Sequence, residues 1–453
     1  MQLPKIIAIA LAGLSPALAS SVAAETLTDA LISTYKNSGL IEQNRATLRA
    51  ADEDVAQTIA ALRPVLNWAG SLNYNNPSMA DELSGSLSLS ASMLLYDFGR
   101  SQLGVDIAKE SVLATRATLV DVENATLFNA VNAYLSVRRA AAFVELRENN
   151  VRLLTEQLRA TRDRFEVGEV TRTDISLAEA RLAAARSGLA AEQGGFKQAR
   201  EQYRAIVGNY PGTLSAPPTP PKIPSTESAA RDIARRENPE IIGVQHQVKS
   251  AELAVERAQL LKRPSLNASG SLSVNDNGDD STSLGLTLSG PIYQGGALPS
   301  QVRQAMAQRD AARAQLYSTG LSVDQQVGNA YADLAVAVAS VDASDRQVRA
   351  AELALRGVRE EFQLGARTTL DVLDQEQEVL DARTNLVSAI ADRYAAIYQV
   401  MDAMGILTAE QLGLNVPIYD PAAYYNAVKD APLRTPSKQG AALDRVLKSL
   451  GKE

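Results

Sequence analysis

The chain has 453 residues, no cysteine, a single histidine and a formal charge of −7, with a pI near 5.2. This composition excludes disulfides, thiolate metal sites and thiol nucleophiles, and leaves only His246 for imidazole chemistry. Without a basic surplus, nucleic acid is not an expected partner.

Residues 1–24 read as a secretory signal. Lys5 is their only charge, Ile6 to Leu14 supplies a short apolar core, and Val22-Ala23-Ala24 fits a small-residue cleavage site. The absence of cysteine there argues against an N-terminal lipid anchor. No later run of 18 or more apolar residues occurs, so a membrane span would have to be β-structure.

Residues 25–210 form a first repeat. Glu25 to Leu62 has helical periodicity, and then the period changes to two. Strands are predicted at about 65–75 and 83–97. In the second, Leu83, Leu87, Leu89, Ala91, Met93 and Leu95 alternate with Ser84, Ser86, Ser88, Ser90 and Ser92. A soluble, half-buried hairpin would show the same alternation. Two features favour membrane strands. Each run is about the 9–11 residues a tilted spanning strand needs. The aromatics Trp68, Tyr74, Tyr96 and Phe98 lie mostly towards strand ends, where an interfacial girdle would put them.

Gly99 to Asp163 is proline-free and predicts one very long helix. The stretch RFEVGEVTRTDISL (Arg164 to Leu177) then turns at Val167-Gly168, and a returning helix covers Ile175 to Ile206, ending at Gly208. A proline-rich linker occupies 211–225. Residues 226–410 repeat the pattern, with strands at about 265–275 and 281–293, the latter including Ile292. Phe165 and Phe362, Gly168 and Gly365, Thr171 and Thr368, and Asp174 and Asp371 are each separated by 197 residues. Asn132-Ala133-Tyr134 likewise recurs as Asn329-Ala330-Tyr331. The sequence is an internal duplication. Residues 411–453 are expected to form a tail packed on the helices, with a short helix at Ala441 to Leu450.

Four strands are too few to close a membrane barrel, and open edges are forbidden in lipid. If these strands enter a membrane, several chains must share one barrel. Two copies give eight strands, too narrow for a passage, and three give twelve.

The strand pairs, the Ala-rich helices, the turns Arg164-Phe165-x-x-Gly168 and Leu364-Gly365-x-Arg367-Thr368-x-x-Asp371-Val372-Leu373-Asp374, and the tail Tyr419-Asp420-Pro421 together resemble the TolC family of outer-membrane channels. The resemblance implies an α+β membrane protein in which three protomers share a twelve-strand β-barrel continued by a long α-helical barrel. It implies a homotrimer in outer-membrane lipid, working as a passive exit duct with a periplasmic adaptor and an inner-membrane pump of the ABC or RND type, in type I secretion or multidrug efflux. It implies neither an enzyme nor a cofactor.

By position, the family's periplasmic gate falls on Asp163, Thr173, Asp174, Phe362, Arg367, Asp371 and Asp374. Arg367 would bridge to Thr173 and Asp174, while Asp371 and Asp374 would form carboxylate rings able to attract cations. Phe362 stands where well-studied members carry tyrosine, so that hydroxyl bond is lost. Val167, Gly168, Leu364 and Gly365 would be the adaptor-docking tips. A plainer role for Asp174 and Asp371 is helix capping, since each closes a Thr-x-x-Asp signature. The alternative function is a soluble periplasmic coiled-coil scaffold or adaptor.

Overall fold

A computed structural model describes residues 24–75 and 82–428, together with the individual residues Arg445 and Lys448. The expected signal segment, apart from Ala24, and nearly all of the expected tail helix at 441–450 lie outside the described residues.

The chain opens with α1 (Leu27–Asn37) and α2 (Gly39–Ala60). Ser38 separates them and serves both: its N–H donates to Thr34, and its hydroxyl accepts from the Ile41 amide. Strands β1 (Val65–Asn75) and β2 (Glu82–Tyr96) follow, then α3 (Arg100–Glu166) and α4 (Arg172–Val207). The second half repeats this order with α5 (Glu227–Glu237), α6 (Pro239–Gln259), β3 (Ser265–Asn275), β4 (Asp280–Ser289), α7 (Ala297–Gln363) and α8 (Thr369–Met404). Asn238 repeats the role of Ser38 between α5 and α6. A short α9 (Pro421–Val428) packs against α2.

Helices α3 and α7 have 67 residues each, and α4 and α8 have 36 each. At about 1.5 Å per residue the longer pair spans about 100 Å. Each long helix packs along its shorter partner, α3 on α4 and α7 on α8. The main core lies near mid-height, where Tyr134, Tyr203, Leu127, Val131, Val207, Val323 and Met404 are fully buried. There the repeated Asn-Ala-Tyr motif acquires a purpose. The Tyr134 hydroxyl donates to the Ser215 carbonyl at 2.8 Å and the Tyr331 hydroxyl to the Pro224 carbonyl at 2.8 Å. Both repeats therefore pin the proline-rich linker, which is also held by a parallel bridge between Glu25 and Leu214.

The strands form one antiparallel sheet in the order β1-β2-β3-β4. Register sorts its faces. Trp68, Leu89 and Leu272 lie side by side, as do Gly70, Leu87 and Val274. The opposite face carries the rows Asn67, Ser90, Ser271, Ser283 and Ser71, Ser86, Asn275. Strand β4 ends at Ser289, earlier than the predicted 293. Gly290 backs directly onto Pro264, and Pro291 has no amide to continue a ladder. Ile292 therefore lies outside the strand and is fully exposed.

The sheet-to-helix junction needs a left-handed residue in both repeats. Gly295 and Gly296 supply it in the second (φ 59° and 86°), whereas the first uses Phe98 (φ 62°) before Gly99. A side chain there costs about 1–2 kcal/mol. The Phe98 ring is held in place by Tyr96, with centroids 4.8 Å apart, and by the Arg263 guanidinium at 5.5 Å.

Candidate functional site

Two features of the fold can carry function: the sheet at one end and the paired turns at the other. On the apolar face of the sheet Leu66, Trp68, Leu72, Leu284, Leu286 and Leu288 are each at least 70% exposed. Among the described residues no helix covers them, and β1 and β4 are the two edges of the sheet. An apolar sheet face of this extent is stable only in lipid or against protein.

At the other end α3 and α7 each finish in a Gly-centred turn. Gly168 (φ 83°) and Gly365 (φ 74°) take the left-handed conformation. The Glu169 amide reaches the Arg164 carbonyl, and the Ala366 amide the Glu361 carbonyl, a Schellman-type closure. Helices α4 and α8 then restart with full capping boxes. The Asp174 carboxylate accepts from the Thr171 amide and hydroxyl at 2.9 and 2.7 Å, and the Asp371 carboxylate from those of Thr368 at 2.8 Å each. These bonds hold the Asp371 carboxyl below its usual pKa, with nearby Arg367 as a smaller cause. Between the boxes Val167 and Leu364 project 71% and 85% exposed, apolar side chains at the very tips.

The expected gate residues are thus gathered at one end, but their bonds differ from the expectation. Arg367 does not bridge to Thr173 or Asp174 within the chain. Its Nε donates to Glu361 at 2.7 Å, because the Schellman turn folds residue 367 back beside the last turn of α7. Thr173 and Asp163 stand exposed on the first turn of α4 and the last of α3. Asp374 is not a bare carboxylate: Arg181 of the other repeat pairs with it at 2.5 Å. Phe362, lacking a hydroxyl, instead takes the Arg164 guanidinium over its ring at 4.8 Å, again across the repeats. Deeper between them, Leu373 packs with Leu154, Leu158, Ala178, Leu182 and Ala185. Beside this cluster the buried Glu376 accepts from Arg359 at 2.9 Å, and desolvation raises its pKa against that pairing.

Sequence reading missed Arg164, Arg181, Arg359 and Glu376. The one available signal was asymmetry. Asp374 and Arg181 have Leu177 and Glu378 at the equivalent positions of the other repeat, so this link can form only once per chain.

A four-stranded sheet with one lipid-compatible face, carried on helices about 100 Å long, fits an outer-membrane protein with a helical body. The family comparison agrees. The chain matches the outer membrane efflux protein family over residues 32–209 and 230–406, and it belongs to that family. The outer membrane efflux protein BepC of Brucella suis biovar 1 is 36% identical over 422 residues, covering 91% of this chain and 92% of BepC. The outer membrane protein TolC of Escherichia coli K12 is 26% identical over 470 residues, covering 97% of this chain and 93% of TolC. The fold is similar to that of the Campylobacter jejuni CmeC outer membrane channel, with a TM-score of 0.75 at 14% identity over 94% of this chain and 98% of CmeC. The protein is accordingly an outer-membrane protein whose helical body extends into the periplasm.

Proposed function

We propose that three copies of this chain form a continuous exit duct through which an inner-membrane pump and a periplasmic adaptor expel substrate, for efflux or type I secretion. The observation that carries this reading is the four-stranded sheet with an uncovered apolar face and two free edges. Joining β1 of one copy to β4 of the next removes every edge, and three copies give a twelve-strand barrel. The apolar rows then face lipid and the Ser and Asn rows line a wet lumen. Helix α7 supports the same assembly, since Tyr317, Leu321, Val336, Val338 and Leu353 are all more than half exposed along its length.

The tips form the resting gate. Arg164 on Phe362, Arg181 on Asp374 and the Leu373 cluster tie the α7–α8 end of one repeat to the α3–α4 end of the other. Opening parts these contacts. Arg367, Asp371, Asp374, Thr173, Asp174, Asp163 and Phe362 surround the constriction, while Val167, Gly168, Leu364 and Gly365 offer the adaptor its docking tip.

Because the chain has no cysteine, engineered pairs give a clean test. Ala69→Cys on β1 is combined with single cysteines scanned along 281–289 on β4, and the oxidised protein is sized in denaturant. The reading expects a cross-linked trimer at one register. Monomer throughout the scan contradicts it.

A further inference from the structure

The proposed duct raises the question of what charge its periplasmic entrance presents. Of the two carboxylates expected to form bare rings, Asp371 is committed to its capping box. Asp374 is one turn further along α8, clear of the cap, and its partner is Arg181 of α4, 193 residues away in sequence. Neighbouring charges have partners of their own: Glu179 takes Arg162 at 2.5 Å, Glu376 takes Arg359 and Glu378 takes Gln347. Arg181 is therefore the cation dedicated to Asp374. The pair sits beside the contact of Leu373 with Ala178, Leu182 and Ala185, so a displacement of α8 from α4 breaks the packing and the ion pair together. The duplication cannot provide a second copy, because Leu177 and Glu378 occupy the equivalent positions.

We infer that Arg181 is a selectivity-determining residue: it neutralises Asp374 while the repeats are joined at the tip, and parting α8 from α4 unmasks the carboxylate. The inference rests on the duct reading. It makes closure and charge one coordinate. The closed tip offers cations a compensated ring, and the open tip offers free carboxylates that attract them. Both side chains are about half exposed, so salt screens the pair and the compensation weakens as ionic strength rises.

The test compares the wild-type protein with Arg181→Gln, Arg181→Lys, Asp374→Asn and the Arg181→Gln/Asp374→Asn double variant in planar bilayers. Hexaamminecobalt(III), a compact trivalent cation, is added on the helical side. Arg181→Gln is expected to lower the half-blocking concentration by about tenfold at low salt and to raise potassium-over-chloride selectivity. Arg181→Lys should remain near wild type. Asp374→Asn, alone or with Arg181→Gln, should block no better than wild type. Block by Arg181→Gln at the wild-type concentration, in a wild-type background that conducts normally, overturns the inference and leaves the duct standing. A wild-type protein that never conducts overturns the duct reading first, and this inference with it.

Discussion

The two faces of β2 can be tested by two adjacent substitutions. Leu89 is near the middle of the strand, flanked by Trp68 on β1 and Leu272 on β3. Ser90, the next residue, is flanked by Asn67 and Ser271. If the apolar rows face lipid, Leu89→Arg places a guanidinium near the bilayer midplane, at a cost of about 2–4 kcal/mol per copy. Three copies sharing one barrel multiply that to about 6–12 kcal/mol, comparable to the whole stability of a typical folded domain. Ser90→Arg puts the same charge in a wet lumen, where solvation is retained. Expressed side by side, Leu89→Arg should fail to float with outer membranes and should lose its detergent-resistant oligomer. Ser90→Arg should insert normally and shift conductance towards anions. Equal insertion of both variants, or failure of Ser90→Arg alone, refutes the assignment of faces.

Other consequences concern the gate and the core. Removing the guanidinium over Phe362 by Arg164→Gln should make the resting channel leakier in bilayers, and unchanged closed-state conductance would place the latch elsewhere. Gly365 and Gly405 both have positive φ, but only at Gly405 would a methyl collide with Pro239, at 2.3 Å. Gly405→Ala should therefore cost well beyond the roughly 1–2 kcal/mol of left-handed strain expected for Gly365→Ala, read as a larger loss in melting temperature. Asp52 is fully buried, with Arg116 4.0 Å away, and desolvation pushes its carboxyl up from 3.8 to about 6. The folded state holds that proton more tightly, so stability falls as pH rises from about 4 to about 6. Asp52→Asn should then stabilise the protein by about 2 kcal/mol at pH 8 and by little at pH 4. A gain independent of pH would contradict this assignment.

Period and punctuation make the strands, the long helices and the tips legible in the sequence. A period of two in Leu83–Leu95 admits one secondary structure, and Gly168 and Gly365 mark the only breaks in runs too long for ordinary helices. The end of β4 was misread because Leu284, Leu286 and Leu288 extend naturally to Ile292. The steric contact of Gly290 with Pro264 is a tertiary fact. The breaks at Ser38 and Asn238 are single residues that cap two helices at once, which a helical periodicity passes over. Capping at Asp174 and Asp371 followed from spacing alone, because a capping box closes within four residues. The partners of Arg367, Asp374 and Phe362 did not. Glu361 reaches Arg367 only through the fold of the turn. Arg181 and Arg164 reach the second repeat only through the stagger of α4 and α3 against it. The burial of Asp52 likewise depends on elements distant in the chain.

The most direct test of the account is single-channel recording of detergent-purified protein in a planar bilayer, with the mass of the assembly measured on the same preparation. The account predicts a trimer giving small, cation-selective openings. A water-soluble monomer that gives no conductance would contradict it.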